Sequence, residues 1–306
     1  MCGFQRCEYS VSLNGRKIMT NSNIISMKRY FLVLMALLVS VYHVSFAKKE
    51  QGSEGLKVMS YNIRYGDAKD GTNSWALRYP ATAEMIKDQQ PDVCGVQESL
   101  GYQLVFIEQN FKEYDFVGVG RDNGKKEGEY AAIVWNKKTV SLLKWGTFWL
   151  SETPDKPSSG WDAACYRTAT WALMKDKKTG RKFYFVNTHL DHVGVEARKN
   201  GLQLIVERIG KLNKDSYPMV LTGDFNVTPE DAALQALEGK MKCARNVAVK
   251  TDNKGTFNGW GKDSKVIDYI YFSGFSECPE YETVTKKYAK RSFVSDHFPI
   301  TARLIF

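Results

Sequence analysis

The 306-residue chain is poor in the residues that build metal-staple and disulfide scaffolds, with six cysteines, four histidines and eight prolines. Cys2 and Cys7 lie at the extreme N-terminus, and the remaining Cys94, Cys165, Cys243 and Cys278 are far apart and form no CxxC pair. That spacing argues against a thiolate zinc site and selects no disulfide pairing. Cys94, inside an apolar run, reads as a small buried hydrophobe. No period suggests repeats and no low-complexity linker divides the chain. The longest apolar run, residues 30–42, is shorter than the roughly 20 residues a membrane span requires, so no stable membrane anchor is expected.

That run does have another use. Met27-Lys28-Arg29 precedes it and Ser45-Phe46-Ala47 follows it, the charged, apolar and small-residue order of a secretory signal. Residues 27–47 are therefore predicted to be a signal peptide, 1–26 an extension from a start called too early, and 48–306 one exported domain, periplasmic or extracellular. Loss of Arg6, Arg16, Lys17, Lys28 and Arg29 with Glu8 lowers the formal charge from +9 to +5. This mildly basic balance suits an anionic substrate without identifying nucleic acid.

The most informative stretch is Pro218-Met-Val-Leu-Thr-Gly-Asp-Phe-Asn-Val-Thr-Pro229. Met219, Val220 and Leu221 suit a strand covered on both faces, and Gly223 lets the chain turn where it stops. Asp224 and Asn226, two apart, would face one side in extended geometry, where a carboxylate and an amide can orient a water and a phosphoryl oxygen. Thr228 is expected to cap a helix with Pro229 at its first position and Asp231 completing an approximate capping box.

Similar strand ends recur. A strand over 56–62 closes on Asn62, and one over 91–98 closes on Gln97-Glu98. A polar loop over 63–77, containing Trp75, precedes a helix over 78–89, and another helix follows over 102–111. Strands over 130–135, 140–150, 166–174 and 182–188, separated by turn signals, are expected to form one antiparallel meander. The helix over 196–212 carries Leu202, Ile205, Ile209 and Leu212 on one face. Late strands are expected over 266–272 and 298–305.

Asn187-Thr-His189, Asp268 in Ile267-Asp-Tyr269, and Ser295-Asp-His297 add phosphate or metal chemistry to this set. Each alone reads as readily as a satisfied structural histidine or a solvated strand end. Together and in this order, Ser60-Tyr-Asn62, Val96-Gln-Glu98, Asn187-Thr-His-Leu190, Gly223-Asp-Phe-Asn226, Ile267-Asp-Tyr269 and Ser295-Asp-His-Phe-Pro299 resemble the endonuclease/exonuclease/phosphatase family, over residues 56–306. The form Gly-Asp-Phe-Asn-Val-Thr-Pro looks closer to the deadenylase, nocturnin and sphingomyelinase branches than to the inositol phosphatases, whose further Arg is replaced by Val227.

The resemblance implies an α/β deoxyribonuclease I-like fold, a four-layer sandwich of two packed mixed β-sheets flanked by helices, and phosphoester hydrolysis with Mg²⁺, Mn²⁺ being the alternative. Glu98 resembles the main metal carboxylate, with Asn62 beside it and Asp296 nearby. Asp224 looks like the residue that orients or deprotonates the attacking water, and Asn226 its neighbour on the phosphate. His297, paired with Asp268, matches the family's cleft histidine, and His189 the histidine that contacts phosphate. These roles suit a reaction in which cations and donors cover oxygens as charge builds.

Arg167 has two readings, a phosphate contact or a strand-face cation, and His192 is either a loop residue or a second cleft donor. Trp75, Trp161 and Trp260 are expected in polar loops, where they would stack on a substrate ring or cap the core. The leading substrate is a phosphodiester, as nucleic acid or nucleotide. The alternatives are a small sugar or lipid phosphate cut by a phosphatase or phospholipase-type hydrolase, and a non-catalytic anion-binding protein. No protein partner is inferred.

Overall fold

In the computed structural model residues 55–306 are described, and the expected signal segment and its upstream extension lie outside them. The elements in chain order are β1 (Leu56–Asn62), α1 (Trp75–Gln89), β2 (Val93–Ser99), α2 (Gly101–Asn110), β3 (Tyr114–Val117), β4 (Tyr130–Asn136), β5 (Val140–Trp149) and β6 (Thr168–Asp176). They continue as β7 (Lys182–His189), α3 (Val195–Leu212), β8 (Met219–Asp224), β9 (Lys242–Cys243), α4 (Ala244–Val247), β10 (Asp268–Ser273), β11 (Glu277–Thr283) and β12 (Ile300–Ile305).

The strands form two six-stranded sheets, β11-β12-β1-β2-β4-β3 and β5-β6-β7-β8-β10-β9. Each holds one parallel pair, β1 with β2 and β7 with β8, and antiparallel neighbours elsewhere. The parallel pairs need crossovers, which α1 and α3 supply. Side-chain alternation then divides the interior into three cores. Val58, Val93, Ile133, Phe185, Val220 and Ile270 meet between the sheets. Met59, Met85, Cys94 and Leu104 fill the space beneath α1 and α2, and Leu202, Ile205, Ile209 and Leu221 that beneath α3. This is the expected four-layer sandwich, and burying each such aliphatic side chain stabilises it by roughly 1.5–3 kcal/mol.

Toward one edge the layer between the sheets turns polar. The Asn187 amide donates to the carbonyls of Val96 and Ala132 at 3.0 and 2.8 Å, across from its own sheet. Its oxygen accepts from Gln97 Nε2 at 2.7 Å and Thr222 Oγ1 at 3.1 Å. Gly95 permits this approach, because a Cβ there would collide with Thr222 Oγ1 and Asn187 Oδ1. The two sheets are thus locked in register just below the strand ends that carry the expected chemistry.

Several expectations are corrected. The four strands expected as one meander are split: β4 belongs to the first sheet and β5, β6 and β7 to the second, because the turn after Asn136 passes from one layer to the other. Helix α1 begins at Trp75, three residues early, because Trp75 packs edge-on against Phe106 with ring centroids 5.5 Å apart. Leu212 is exposed at the last turn of α3. Thr228 caps no helix. Asp231 is the cap, its side chain accepting from Ala233 N at 2.8 Å at the start of a 3-10 helix, Ala232–Leu237. Strands β3 and β9, which are short, and β11, which is rich in charge, carry too little apolar alternation to be seen in the sequence. All four cysteines among the described residues are free. None of the described helices is long and apolar enough to cross a membrane.

Candidate active site

Strand register assembles one row of the site. Asp224 at the end of β8 pairs with His189 at the end of parallel β7 on one side and with Asp268 at the start of antiparallel β10 on the other. In the facing sheet Asn62 at the end of β1 pairs with Gln97 of β2. The C-terminal ends of both parallel pairs therefore open on one edge, the usual place for ligands in α/β sheets.

Local backbone strain aims three side chains into this edge. Glu98 sits at a bulge between β2 and β4 with φ of 58°, Arg64 has φ of 66° and Asn226 has φ of 53°. Non-glycine residues in the left-handed region are costly and gather at functional sites. The bulge turns the Glu98 carboxylate into the cleft. Asp224 Oδ1 accepts from Asn226 N at 3.0 Å, so a turn, and not extended geometry, sets these two side by side.

The histidines are in opposite electrostatic states. Burial alone would lower the pKa of His297, but Asp268 and Asp224 outweigh it and raise it, with His297 Nδ1 2.9 Å from Asp268 Oδ2. Burial, with Arg167 and Arg121 adding to it, holds His189 well below its ordinary value. His189 is therefore neutral. Its Nε2 accepts from Asn226 Nδ2 at 3.0 Å, which puts the proton on Nδ1, a buried atom with no hydrogen-bond partner in the protein.

On the other side of the cleft, Asn62 Nδ2 donates to Glu98 Oε1 and to Asp224 Oδ2, both at 2.9 Å, while its oxygen accepts from Arg64 N. Asn62 thus braces two carboxylates and presents its NH₂ group, not an oxygen, to them. Arg64 forks onto Asp70 at 3.0 and 3.1 Å and reaches Asp296 at 3.4 Å. Burial raises Asp224 and Asp296, and Glu98 raises both further. Against its burial, Glu98 itself is lowered by His297, Asn62, Tyr65 N and Arg64. Carboxylates crowded in this way fit a divalent cation, whose charge would relieve their mutual repulsion. The donor set is rich in oxygen, and Glu98, His189 and Asp224 can each offer an atom within 4.8 Å of the others. Cys165, Asp191 and His192 form another such group. There, however, Asp191 already accepts from Cys165 N, Val193 N, Gly194 N and Arg167 Nε.

These groups line a cavity of about 640 Å³. It includes Glu98, Arg167, His189, Asp224, Asn226, Asp296 and His297, with Asn62 and Asp268 buried behind. Arg167 lines the cavity, its Nε 3.3 Å from Asp191 Oδ2 and its Nη2 3.0 Å from His192 Nδ1. Trp75 is a correction: it is buried in the outer core under α1 and does not line the cleft. Trp161 also stands outside the lining, 36% exposed, and its neighbour Asp162 caps α3 by accepting from Ala197 N at 2.7 Å. Trp260 packs against Phe293.

Sequence reasoning missed Arg64, Arg121, Glu129 and Lys265, all of which line the cleft. Arg64 had a signal, since it follows a strand end by two residues as Asn226 does. Arg121 and Glu129 flank a loop rich in glycine and charge, which by itself resembles any solvated turn.

The pair of His297 and Asp268 has a measurable consequence. A histidine with a folded-state pKa above its unfolded value adds stability that is whole below the unfolded value, about 6.5, and is lost as pH rises through the folded one. Raised Asp224 and Asp296 act with the same sign, beginning at lower pH. In metal-free buffer the protein should lose on the order of 2 kcal/mol between about pH 6.5 and 8.5 from His297. Asp268→Asn should flatten that part of the slope, read from urea midpoints across the pH range.

The architecture and the site edge define a deoxyribonuclease I-like sandwich whose acidic and histidine groups could bind a divalent metal. The chain belongs to the endonuclease/exonuclease/phosphatase family, whose model matches residues 59–297. Among solved structures, the mannosyl-6-phosphatase of Bacteroides thetaiotaomicron is 36% identical, with a TM-score of 0.78 over 82% of this chain and 100% of that one. An endonuclease/exonuclease/phosphatase protein of Bacteroides vulgatus is 38% identical, with a TM-score of 0.77 over 82% of this chain and 99% of that one. The human nocturnin catalytic domain, at 17% identity and a TM-score of 0.67 over 82% of this chain and 94% of that one, shares the fold.

Proposed function

We propose that the chain is an exported, divalent-metal-dependent phosphomonoesterase acting on a sugar phosphate. The observation that carries the substrate class is the part of the cavity lining beyond Glu98, Asp224 and Asp296. It is made of paired polar groups, Arg121 with Glu129 and Arg167 with His192, in place of stacking rings. The two aromatic rings in the lining are Tyr65 and Phe257, and Phe257 is taken up against His297 with ring centroids 5.0 Å apart. A nucleic-acid strand would call for several platforms. The likeness to a mannosyl-6-phosphatase over nearly the whole described chain supports the same class. Export rests on the signal-like residues 27–47.

Glu98 and Asp296 would hold the metal, Mg²⁺ or Mn²⁺, which when bound supplies Lewis-acid stabilisation of a phosphoryl oxygen. Asp224, its pKa raised toward the working range, takes the proton of a water whose oxygen bonds to phosphorus as the bond to the sugar oxygen breaks, the departing oxygen taking a proton from solvent. The His297 imidazolium balances charge as it builds on the phosphoryl group, while Asn226, whose two amide N–H groups go to His189 Nε2 and to the Leu190 carbonyl, both at 3.0 Å, holds His189 in place. Neutral His189 lines the site without adding charge.

The test compares mannose 6-phosphate, bis-p-nitrophenyl phosphate and a single-stranded oligonucleotide with Mg²⁺, Mn²⁺ or EDTA. The expected result is metal-dependent release of phosphate from the monoester with the highest kcat/KM of the three. Preferential cleavage of the diester or the oligonucleotide would overturn the sugar-phosphate reading and restore the nucleic-acid one.

A further inference from the structure

Glu129 is out of place in a cleft built for an anion. It is a carboxylate with its side chain 17% exposed, in the same cavity as Asp224 and Glu98, and it carries no part of the chemistry assigned to the other acids. Its partner is Arg121, whose Nη1 and Nη2 donate to Oε2 and Oε1 at 3.0 and 2.9 Å, a two-pronged pair. The pair is fixed before any ligand arrives. Arg121 N donates to Glu129 O at 3.1 Å, Asp122 N to Glu127 O at 3.1 Å, and Gly120 N to Lys125 O at 3.0 Å, closing the loop on itself. Trp149 Nε1 then ties Arg121 O to the second sheet at 2.7 Å.

Such a pair has no net charge, so it attracts a second phosphate far less than a lone arginine would. It does leave one lone pair free on each Glu129 oxygen and further N–H groups free on Arg121, acceptors beside donors at fixed spacing. Neighbouring hydroxyls of a sugar ring, each both donor and acceptor, match that arrangement, whereas a phosphate chain offers acceptors alone. We infer that the Arg121–Glu129 pair is the specificity wall of this site, reading hydroxyl groups on the sugar whose phosphate lies at the carboxylate side. This rests on the sugar-phosphate reading above and adds to it which residues choose the leaving group.

The experiment uses the full chain, Glu129→Gln and Arg121→Lys, with mannose 6-phosphate and p-nitrophenyl phosphate, a monoester whose leaving group has no ring hydroxyls. The expected result is that the ratio of kcat/KM for the sugar phosphate over the nitrophenyl ester falls about 10–100-fold in each variant, mostly through KM, as loss of hydrogen bonds to a charged group predicts. A ratio within about threefold of wild type in both variants overturns the inference. Should the variants fail to fold, monodeoxy mannose 6-phosphates with the wild-type protein decide the matter: at least one position should cost about tenfold or more, and equal kcat/KM at every position overturns it. If the wild type itself cleaves the diester and not mannose 6-phosphate, the proposed function falls. If it cleaves mannose 6-phosphate but the ratio holds, the specificity wall alone falls.

Discussion

Replacing Asp224 by asparagine should lower kcat for phosphate release by about 10³–10⁴-fold with little change in KM or fold. Asn keeps the shape and can still accept from Asn226 N through its oxygen, as Asp224 Oδ1 does at 3.0 Å. What disappears is the charge that takes a proton from water, together with the bond that Asn62 Nδ2 donates to Asp224 Oδ2 at 2.9 Å. Asp224 sits at the centre of the row formed by β7, β8 and β10, with His189 Nε2 3.5 Å and His297 Nε2 3.6 Å from its Oδ2. No second carboxylate shares its place: Asp268 is committed to His297 Nδ1, and Glu98 to Asn62 and Tyr65 N. Steady-state kinetics with near-UV circular dichroism as the control would check this, and a loss smaller than about tenfold would assign the proton to another group.

Glu98→Gln should abolish metal activation and weaken Mn²⁺ binding by roughly 100-fold or more, measured by calorimetric titration of the protein as well as by activity. Gln is the informative replacement, because φ of 58° at this position strains any non-glycine residue equally and keeps strain out of the comparison. Its oxygen can still accept from Asn62 Nδ2, while its NH₂ group would face Tyr65 N, which donates to Glu98 Oε2 at 2.8 Å. With the negative charge gone, Arg64 Nη1, 3.9 Å from Glu98 Oε2, would swing wholly to Asp296 and leave the cleft more positive. Unchanged Mn²⁺ affinity in Glu98→Gln would place the metal elsewhere in the acidic cluster.

The reaction edge was legible because apolar strands ending on polar residues mark where a sheet stops. Asn62, Asp224 and His189 lie at such ends, and their neighbours in register follow from the pairing of strands. What could not be read was the conformation that completes the site. The bulge that turns Glu98, the left-handed backbone at Arg64 and Asn226, and the loop that closes Arg121 on Glu129 depend on contacts distant in sequence. Trp75 misled for a related reason. In the sequence it follows a polar stretch, and only the packing of α1 on α2 puts its ring against Phe106. Similarly, β-branched and aromatic residues with turn signals between them announced strands over 130–135 and 140–150 but could not say that they belong to different sheets.

Hydrolysis of mannose 6-phosphate in ¹⁸O-enriched water, with Mg²⁺ or Mn²⁺ and in parallel with EDTA, tests the central claim most directly. Water activated by Asp224 and attacking phosphorus predicts label in the released phosphate, none in the mannose, and no release above background in EDTA or in Asp224→Asn. Label in the sugar, or release that proceeds equally with EDTA, would contradict it.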